Sequence, residues 1–384
     1  MADTIGTAPQ VGYEVVRADI KADRPTIVDL MVRNEPAASC VREQVAWNLD
    51  HNPHGEGRVW LLLRTPESKP VGVVLALPRR MLVAGEIRPA ARLWTMAVDK
   101  EHRTLGPALM LLRGALSELH SDIDLVWTVP HIRNATSLLS RTGLKKIVCL
   151  ERRVRALRSK EYLNRIVRPI VPALSPLILP LIAPVADLVA RLVFDRKRLG
   201  GPDLEIGCIA GFDHQFDELW ARARAGSHFQ FTSERTAEFL GWRFRRSWET
   251  HLTLGFRQRL DQRLVGYAVL RVDDRTPILE DFFLEDPSTL TAPALLLLID
   301  WLRNHAFQSL TTMYAGSADV HRALIERWFV QRPTAGPKSL SKDQLKGSSH
   351  TDPNEFTVMV AVSPNRPFQV PDVSSWHFTL ADDI

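Results

Sequence analysis

The chain has 384 residues, of which 45% are hydrophobic and 24% are charged. This composition excludes a disordered or fibrous protein, and the length exceeds what one hydrophobic core usually organises, so two folded domains are predicted. The three cysteines have neither CxxC nor zinc-finger spacing, and the N-terminus lacks a signal-peptide pattern, so we expect reduced thiols in a cytoplasmic protein.

The first half of the chain predicts the element order β-β-β-α-β-α. Residues 58–77 read as two strands around a turn, and residues 91–98 and 123–129 read as further strands. One helix is predicted to begin near Pro107 and another near Asn134.

The middle of the chain is basic, apolar and rich in proline. Residues 151–200 hold eleven Lys or Arg against four Asp or Glu, whereas residues 169–186 carry no charge. Prolines recur at positions 169, 172, 176, 180 and 184, which predicts that no continuous helix forms and that no transmembrane span exists here. Few aromatic side chains accompany the cations, so nucleic acid is not an expected partner.

Two interpretations of this segment remain open. It could bury its apolar residues between the two domains. It could instead lie on an anionic membrane through residues 151–200, with apolar side chains inserted and arginines at the head groups.

The second half of the chain repeats the first. The run PALMLL at residues 107–112 recurs as PALLLL at 293–298, and a Val-Gly pair at 71–72 recurs at 265–266. Because the order of predicted elements around these runs also agrees, the sequence indicates an internal duplication. The predicted domains and linker are residues 11–155, residues 204–384, and residues 156–203 between them.

The segment between the strand ending at Val98 and the following helix is a candidate anion site. A helix N-terminus carries backbone N–H groups without partners, and these attract phosphate. Gly106 would let a ligand approach the backbone, Pro107 suits the first helical position, and Arg103 adds a positive charge. On these grounds the segment either holds a pyrophosphate or only starts a helix.

The stretch MAVDKEHRTLGPAL at residues 96–109 resembles the acyl-CoA-binding motif of the GNAT acyltransferase superfamily. Further on, Asn134 and the pair Gly143 and Leu144 are similar to the next motif of that family. The resemblance implies an α+β fold of two tandem GNAT-like domains, each a mixed, mostly antiparallel sheet flanked by helices. It implies acetyl-CoA or another acyl-CoA as co-substrate, with the cofactor-binding residues Met96, Ala97, Val98, Arg103, Thr104, Leu105, Gly106, Pro107, Ala108 and Asn134.

The second half departs from this motif. The duplication aligns Arg103 with Thr289 and Gly106 with Ala292, and the acidic residues 285–286 precede them, so this loop should repel phosphate. The second domain is therefore expected to carry a degenerate cofactor motif. Its stretch FLGWRF at residues 239–244 resembles a signature of two-domain acyltransferase-like proteins, with Trp242 and Arg243 either contacting substrate or serving as a core residue and a surface ion pair.

The catalytic residues are harder to assign. Acyl transfer to an amine needs a base and often an acid, and the GNAT family frequently uses a Glu on the fourth strand and a Tyr after the fifth. Neither is found here, because residues 91–98 hold no carboxylate and Leu139 takes the position of the Tyr. Water and backbone groups could serve, another element could supply the base, or catalysis could be lost. The catalytic candidates are Asp281, Glu280 and His131.

Glu280 and Asp281 are neighbours on a predicted strand, so we expect them to point to opposite faces and only one to serve as a base. They would reach a site only if the two halves face each other across a cleft. Asp281 could alternatively be an exposed residue of an edge strand, and His131 a solvated loop histidine.

The sequence thus predicts an acyltransferase that moves an acyl group from acyl-CoA to an amine or hydroxyl. The expected acceptor is a small molecule or a glycan-linked or lipid-linked precursor. A non-catalytic GNAT-fold protein for binding or membrane docking is the alternative, and aminoacyl transfer from tRNA is disfavoured. The pair His51 and His54 reads as a plain loop, so no metal is predicted. We expect a cytoplasmic protein, peripheral at the inner membrane under the second of the two interpretations of the linker.

Overall fold

A computed structural model of the chain describes residues 12–34, 40–130, 133–170, 175–195, 202–272, 275–332 and 356–383. The chain divides into two compact units, neither of which is continuous in sequence. The first comprises residues 1–81, 88–148 and 335–369, and the second comprises residues 82–87, 149–334 and 370–384.

The first unit is built on a mixed sheet with helices on both faces. Its strands are β1 (Gly12–Arg17), β2 (Arg58–Thr65), β3 (Lys69–Val83), β4 (Glu86–Val98), β5 (Leu125–Thr128), β6 (Lys145–Cys149) and a strand from late in the chain, β15 (Thr357–Val362). Its helices are α1 (Arg24–Asn34), α2 (Val41–Asp50), α3 (Leu105–Leu119) and α4 (Arg133–Ser140). The strand order is β1-β2-β3-β4-β5-β15-β6, with β4 and β5 parallel.

Two hydrophobic clusters hold this unit together. Helix α3 packs residues such as Leu112 and Leu116 against Trp60 and Val74 on one face of the sheet. Helices α1 and α2 cover the other face. Because both faces are covered, the central strands are almost continuously apolar, as in residues 71–77 of β3.

The second unit repeats this plan. Its strands are β7 (Glu151–Ala156), β8 (Leu204–Ile209), β9 (Phe231–Ser233), β10 (His251–Gln258), β11 (Leu264–Arg271), β12 (Ile278–Leu284), β13 (Ser309–Gly316), β14 (Val330–Gln331) and β16 (His377–Thr379). Its helices are α5 (Ser159–Ile170), α6 (Ser175–Phe194), α7 (His214–Ala225), α8 (Ala237–Phe244), α9 (Pro287–Asn304), α10 (Ala318–Glu326) and α11 (Leu380–Asp383).

The second sheet has the order β14-β7-β13-β12-β11-β10-β8, and β16 pairs with β13. Strands β12 and β13 are parallel, as β4 and β5 are. Strand β9 pairs with β3, whose last residues belong to the second unit. The predicted α+β class, with two mixed, mostly antiparallel sheets flanked by helices, is confirmed.

The repeated Val-Gly pair has the same structural role in both units. The Asp99 N–H donates to the Val71 carbonyl at 2.8 Å, and the Glu285 N–H donates to the Val265 carbonyl at 3.0 Å. A Cβ on Gly72 would lie 3.2 Å from the carbonyl oxygen of Ala97, and the corresponding atom in the second unit comes closer still. Glycine therefore permits the close approach of neighbouring strands at both sites.

The two units differ from the predicted domains in how they use the chain. Strand β15, from residues assigned to the second domain, inserts between β5 and β6 of the first sheet. Strand β7, from residues assigned to the first domain, pairs with β13 of the second sheet. Each sheet thus receives a strand from a distant part of the sequence.

The predicted linker contains two helices, and the prediction that its prolines prevent a continuous helix is wrong. Helix α6 runs for 20 residues through Pro180 and Pro184. Both prolines are exposed and four residues apart, so the carbonyls that lose their N–H partners lie on one solvent-facing stripe where water can bond them. Among the described residues, no helix combines the length and hydropathy needed to cross a bilayer.

Candidate functional site

The junction between β4 and α3 presents an open helix N-terminus. Thr104 occupies the N-cap position in an extended conformation, and its side chain makes no capping hydrogen bond. The N–H groups of Leu105 and Gly106 have no acceptor within the helix because they belong to its first turn. That turn carries no acidic residue, so its positive potential is available to an anion.

Gly106 keeps this end of the helix free of side-chain atoms. A Cβ built on Gly106 would have no heavy atom within 4 Å. The prediction that Pro107 sits at the first helical position is wrong, because α3 begins two residues earlier, at Leu105. Pro107 is still in the first turn, where its missing N–H removes no helical hydrogen bond. Pro107 and Ala108 are buried, so exposure at the junction comes from residues 103–106.

Arg103 fixes the loop as well as supplying charge. Its Nε donates to the Val98 carbonyl at 3.1 Å, and one terminal nitrogen donates to Asn34 Oδ1 at 2.9 Å. The Asn34 amide in turn donates to Asp99, which forms an ion pair with Arg33 at 2.7 Å. This network from the end of α1 was not predicted, because no local motif links residues so far apart in sequence.

Strands β4 and β5 separate beside this junction. Their parallel pairing covers Ala90–Arg92 of β4, although β4 continues to Val98. The Thr128 hydroxyl donates to the Leu93 carbonyl at 3.1 Å just past the last pair. Of the predicted strand-edge residues, Met96 is partly exposed, whereas Ala97 and Val98 are buried.

Two predicted site residues lie partly or wholly outside the residues that the structure describes. His131 lies outside the described residues. Asn134 belongs to α4, but its side chain lies outside the described part. A pair that sequence reasoning missed lies beside Arg103: Tyr13 and His102 are joined by a hydrogen bond of 2.9 Å between the hydroxyl and Nδ1.

The equivalent helix N-terminus in the second unit is capped by its own carboxylate. Asp286 is the N-cap of α9 and accepts a hydrogen bond of 2.9 Å from the Ser288 N–H. The hydroxyls of Ser288 and Thr289 also donate to it, at 2.6 and 2.7 Å. Although burial opposes ionisation, these hydrogen bonds lower the pKa of Asp286 below its usual value. The position that an anion would take is therefore already filled.

The gap between the parallel strands of the second sheet is filled as well. Strand β12 pairs with β13 only at Ile278 and Leu279. Farther along, β13 pairs with β16, as in the pairs Tyr314 with Thr379 and Gly316 with His377. The C-terminal strand thus occupies the position beside β13 where the first sheet leaves its opening beside β5.

Asp281 is a buried structural residue. It is 0% exposed on a central strand, so the expectation of an exposed edge-strand residue is wrong. Arg235 lies 3.0 Å from its carboxylate, and the hydroxyls of Tyr267 and Thr379 donate to it at 2.7 and 2.9 Å. Although burial opposes ionisation, the Arg235 guanidinium holds the pKa of Asp281 far below its usual range. This carboxylate is enclosed by its partners and tied into the fold.

Glu280 is also enclosed by partners. It lies 3.1 Å from His251 Nε2 and 3.2 Å from Arg271 Nε. Burial opposes its ionisation, but the His251 hydrogen bond and the arginines Arg243 and Arg271 lower the pKa of Glu280 to about 2. The prediction that Glu280 and Asp281 point to opposite faces is wrong, because a register shift in the pairing with β11 turns both toward the α8 face.

Glu249, His251 and Glu280 form a cluster with the spacing of metal ligands. One potential ligand atom from each residue lies within 4.8 Å of the others. Both carboxylates are already ion-paired, Glu249 with Arg246 and Glu280 with Arg271. A metal ion would therefore compete with guanidinium groups for the same oxygens.

The FLGWRF stretch forms part of the second core. Trp242 is buried, and Arg243 is only 1% exposed, so the alternative of a surface ion pair is wrong. Arg243 donates to the carbonyls of Leu380 and Ala381 near the C-terminus. Helix α8 is therefore tied to the same terminal segment that contains β16.

No protein-family model and no curated protein matches the sequence. Solved structures do match along most of the chain, at low sequence identity. A protein of unknown function from Enterococcus faecalis V583, described as a probable N-acyltransferase, is 11% identical, with a TM-score of 0.58 over 92% of this chain and 73% of that one. A GCN5-related N-acetyltransferase from Anabaena variabilis is 13% identical, with a TM-score of 0.57 over 92% and 74%.

The Saccharomyces cerevisiae N-myristoyltransferase, solved with bound myristoyl-CoA, is also similar. It is 13% identical, with a TM-score of 0.52 over 93% of this chain and 80% of that one. These similarities, together with the two repeated sheets, show that the chain has the GNAT N-acyltransferase fold in two tandem copies.

Proposed function

We propose that the chain transfers an acyl group from acyl-CoA to an amine or hydroxyl, with acetyl as the first acyl group to test. The CoA pyrophosphate would accept hydrogen bonds from the first-turn amides of α3, at Leu105 and Gly106. The pantetheine arm would run along residues 93–98 of β4. The observation that carries this proposal is the uncapped N-terminus of α3 beside separated parallel strands, in a chain with an acyltransferase fold.

The second unit would not bind CoA. Its corresponding helix end is capped by Asp286, and its strand gap is filled by β16. We propose that neither Glu280 nor Asp281 is the base, because both are fully buried and ion-paired. His131 remains the proposed base from the first half, with water and backbone groups as the other route.

Titration calorimetry tests the cofactor site. Acetyl-CoA and myristoyl-CoA are titrated into the wild-type protein and into Gly106→Asp, which places a negative side chain at the open helix end. We expect the substitution to weaken binding by at least about 100-fold, since it combines like-charge repulsion with loss of space. Ser288→Asp, at the corresponding second helical position of α9, is the matched control and should leave binding unchanged. Equal binding by wild type and Gly106→Asp would refute the site.

A second candidate function is acyl-CoA binding without transfer. It is favoured by Leu139, which is buried in the hydrophobic cluster between α3 and the first sheet. Leu139 takes the position at which the GNAT resemblance implies a catalytic Tyr. An assay that measures free CoA thiol released in the presence of amine acceptors distinguishes the two functions. Tight binding of acyl-CoA with no thiol release above the uncatalysed rate would favour the second candidate.

A further inference from the structure

Helix α6 exposes an apolar face. Six of its apolar side chains are 51–73% exposed, and their spacing of three or four residues places them on one side of the helix. We define the apolar face of α6 as Leu181, Val185, Leu188, Val189, Leu192 and Val193. Leu179 and Ala183 of the same helix are buried, so α6 is apolar on its inward side as well as on this exposed face.

The polar groups of α6 are used inside the second unit. Asp187 accepts a hydrogen bond of 2.6 Å from the Ser159 N–H at the start of α5. Asp195, directly after α6, is paired with the buried Arg155 at 3.0 Å and with Arg303. These bonds fix the rotation of the helix, so the outward direction of the apolar face is part of the fold.

The exposed apolar surface continues beyond the end of α6. Phe194, the last residue of the helix, stacks on Trp328 with ring centroids 4.8 Å apart. Trp328 is partly exposed, as are Ile325 and Val330 beside it in sequence. Contiguous exposed apolar patches of this kind mark interaction surfaces in soluble proteins. A tryptophan at the edge suits a boundary between an apolar and an aqueous phase.

The charges around the face are positive. Arg191 is exposed on α6, and the helix packed against it, α5, exposes Lys160 and Arg168. The carboxylates of Asp187 and Asp195 are engaged internally, so they do not offset these cations. In the sequence, Arg196, Lys197 and Arg198 follow directly after the described part.

We propose that the apolar face of α6 binds an anionic phospholipid surface. The helix would lie in the plane of the interface, with Leu181 and Leu188 among the inserted side chains and Arg191 at the head groups. A second copy of the chain fits less well, because packing two such faces together would also bring their cations together. This inference is independent of the acyl-transfer proposal, since it concerns binding to lipid alone.

Vesicle flotation with the full chain tests the proposal. The protein is mixed with vesicles of phosphatidylcholine alone and with vesicles that also contain phosphatidylglycerol. We expect flotation with the anionic vesicles and weaker binding as salt is raised, because salt screens the arginines. The triple variant Leu181→Ser, Val185→Ser, Leu188→Ser should bind at least about tenfold more weakly, since it removes most of the inserted apolar area.

Matched controls separate this effect from a general loss of apolar surface. Leu260→Ser removes a leucine that is 92% exposed in the turn between β10 and β11, and Val32→Ser removes an exposed valine of α1. Both should float as the wild type does. Arg191→Glu should weaken binding several-fold to anionic vesicles only. If the triple variant is not folded by circular dichroism, Leu181→Asp alone replaces it, because that position is 73% exposed, and it should weaken flotation.

Three results would overturn the proposal. The wild type could stay with the soluble fraction on anionic vesicles at low salt. The folded triple variant could float as well as the wild type, which would assign binding to charge elsewhere. Finally, neither protein could float, while sedimentation equilibrium shows that the wild type is a dimer and the triple variant is a monomer. That result would assign the apolar face of α6 to contact with a second copy of the chain.

Discussion

The junctions after β4 and after β12 share one topology but have opposite electrostatics. At the first junction, Thr104 leaves the N-terminus of α3 without a side-chain cap, and the parallel strands separate beside it. At the second, Asp286 caps α9, and β16 fills the strand gap. Duplication thus produced one site open to an anion and one whose corresponding positions are occupied by the chain itself.

An open helix end or a gap in a sheet has a structural cost that the fold must offset. A helix end and a sheet opening expose polar backbone groups, which are satisfied by a ligand, by water or by the chain. In the second unit, the Asp286 carboxylate accepts a hydrogen bond from the helix end, and β16 pairs with β13 beside the gap. The buried cluster of Arg235, Asp281 and Asp382 then ties that strand in place.

The largest expected effect concerns that buried cluster. Arg235→Met would leave Asp281 and Asp382 buried without their cation, so we expect a loss of about 3–5 kcal/mol in the free energy of unfolding of the second unit. Arg33→Met removes the partner of Asp99 in the first unit, where both side chains are partly exposed, and should cost at most about 1 kcal/mol. Hydrogen exchange of β12 and β4 amides measures both losses. Equal losses in the two units would break the comparison.

The next effect is on ligand binding. Thr104→Asp gives α3 the carboxylate cap that α9 already has, so it should weaken CoA binding by about 10–100-fold while raising stability by about 0.5–1 kcal/mol. The reverse change, Asp286→Thr, should cost about 1 kcal/mol and create no CoA binding, because β16 still fills the gap. Calorimetry and thermal unfolding on the same samples give both quantities. Unchanged affinity in Thr104→Asp would show that the end of α3 holds no anion.

A third effect depends on pH. The pKa of Glu280 is lowered to about 2 in the folded chain, against an ordinary value of 4.5. Its ionised form therefore stabilises the fold fully above pH 4.5, and this contribution is lost as the pH falls toward about 2. Glu280→Gln lacks the contribution, so the difference in unfolding free energy from the wild type should shrink over that interval. A difference that is constant from neutral pH to pH 2 would contradict this assignment.

The smallest effect compares the two repeated glycines. A Cβ at Gly266 would lie 2.7 Å from the carbonyl oxygen of Phe283, against 3.2 Å between a Cβ at Gly72 and the carbonyl oxygen of Ala97. We expect Gly266→Ala to cost about 1–3 kcal/mol and Gly72→Ala less, because overpacking grows steeply with overlap. Urea unfolding of the two variants measures the order. A larger loss of unfolding free energy for Gly72→Ala than for Gly266→Ala would contradict this prediction.

Local patterns in the sequence were enough to predict the repeated architecture. The run at residues 107–112 lies in the first half of α3, the run at 293–298 forms the middle of α9, and β4 ends at Val98 as predicted. The acidic character of the second junction also followed from Glu285 and Asp286. These features depend on residues near each other in the chain, where spacing carries the information.

Features that depend on distant residues were not predicted. Strand β16 fills a gap beside β13, some 60 residues earlier in the chain, and a short polar strand gives no signal of its partner. The register shift at Glu280 reversed the expected direction of one side chain, because period-two alternation fails at a bulge. Helix α6 passes through Pro180 and Pro184 because both face solvent, a tertiary fact that helix propensity does not contain.

The insertion of β15 between β5 and β6 also sets an order for synthesis. During translation, β5 and β6 emerge by residue 149, but the strand that joins them does not exist until residue 362 has been made. At ribosomal rates of about 5–20 residues per second, the interval is on the order of 10–40 s. Throughout it, the edges of β5 and β6 present unpaired backbone groups to other strands. The first sheet therefore stays open until nearly the whole chain has been made, and its exposure to chaperones and to misassembly is set by the length of the second half.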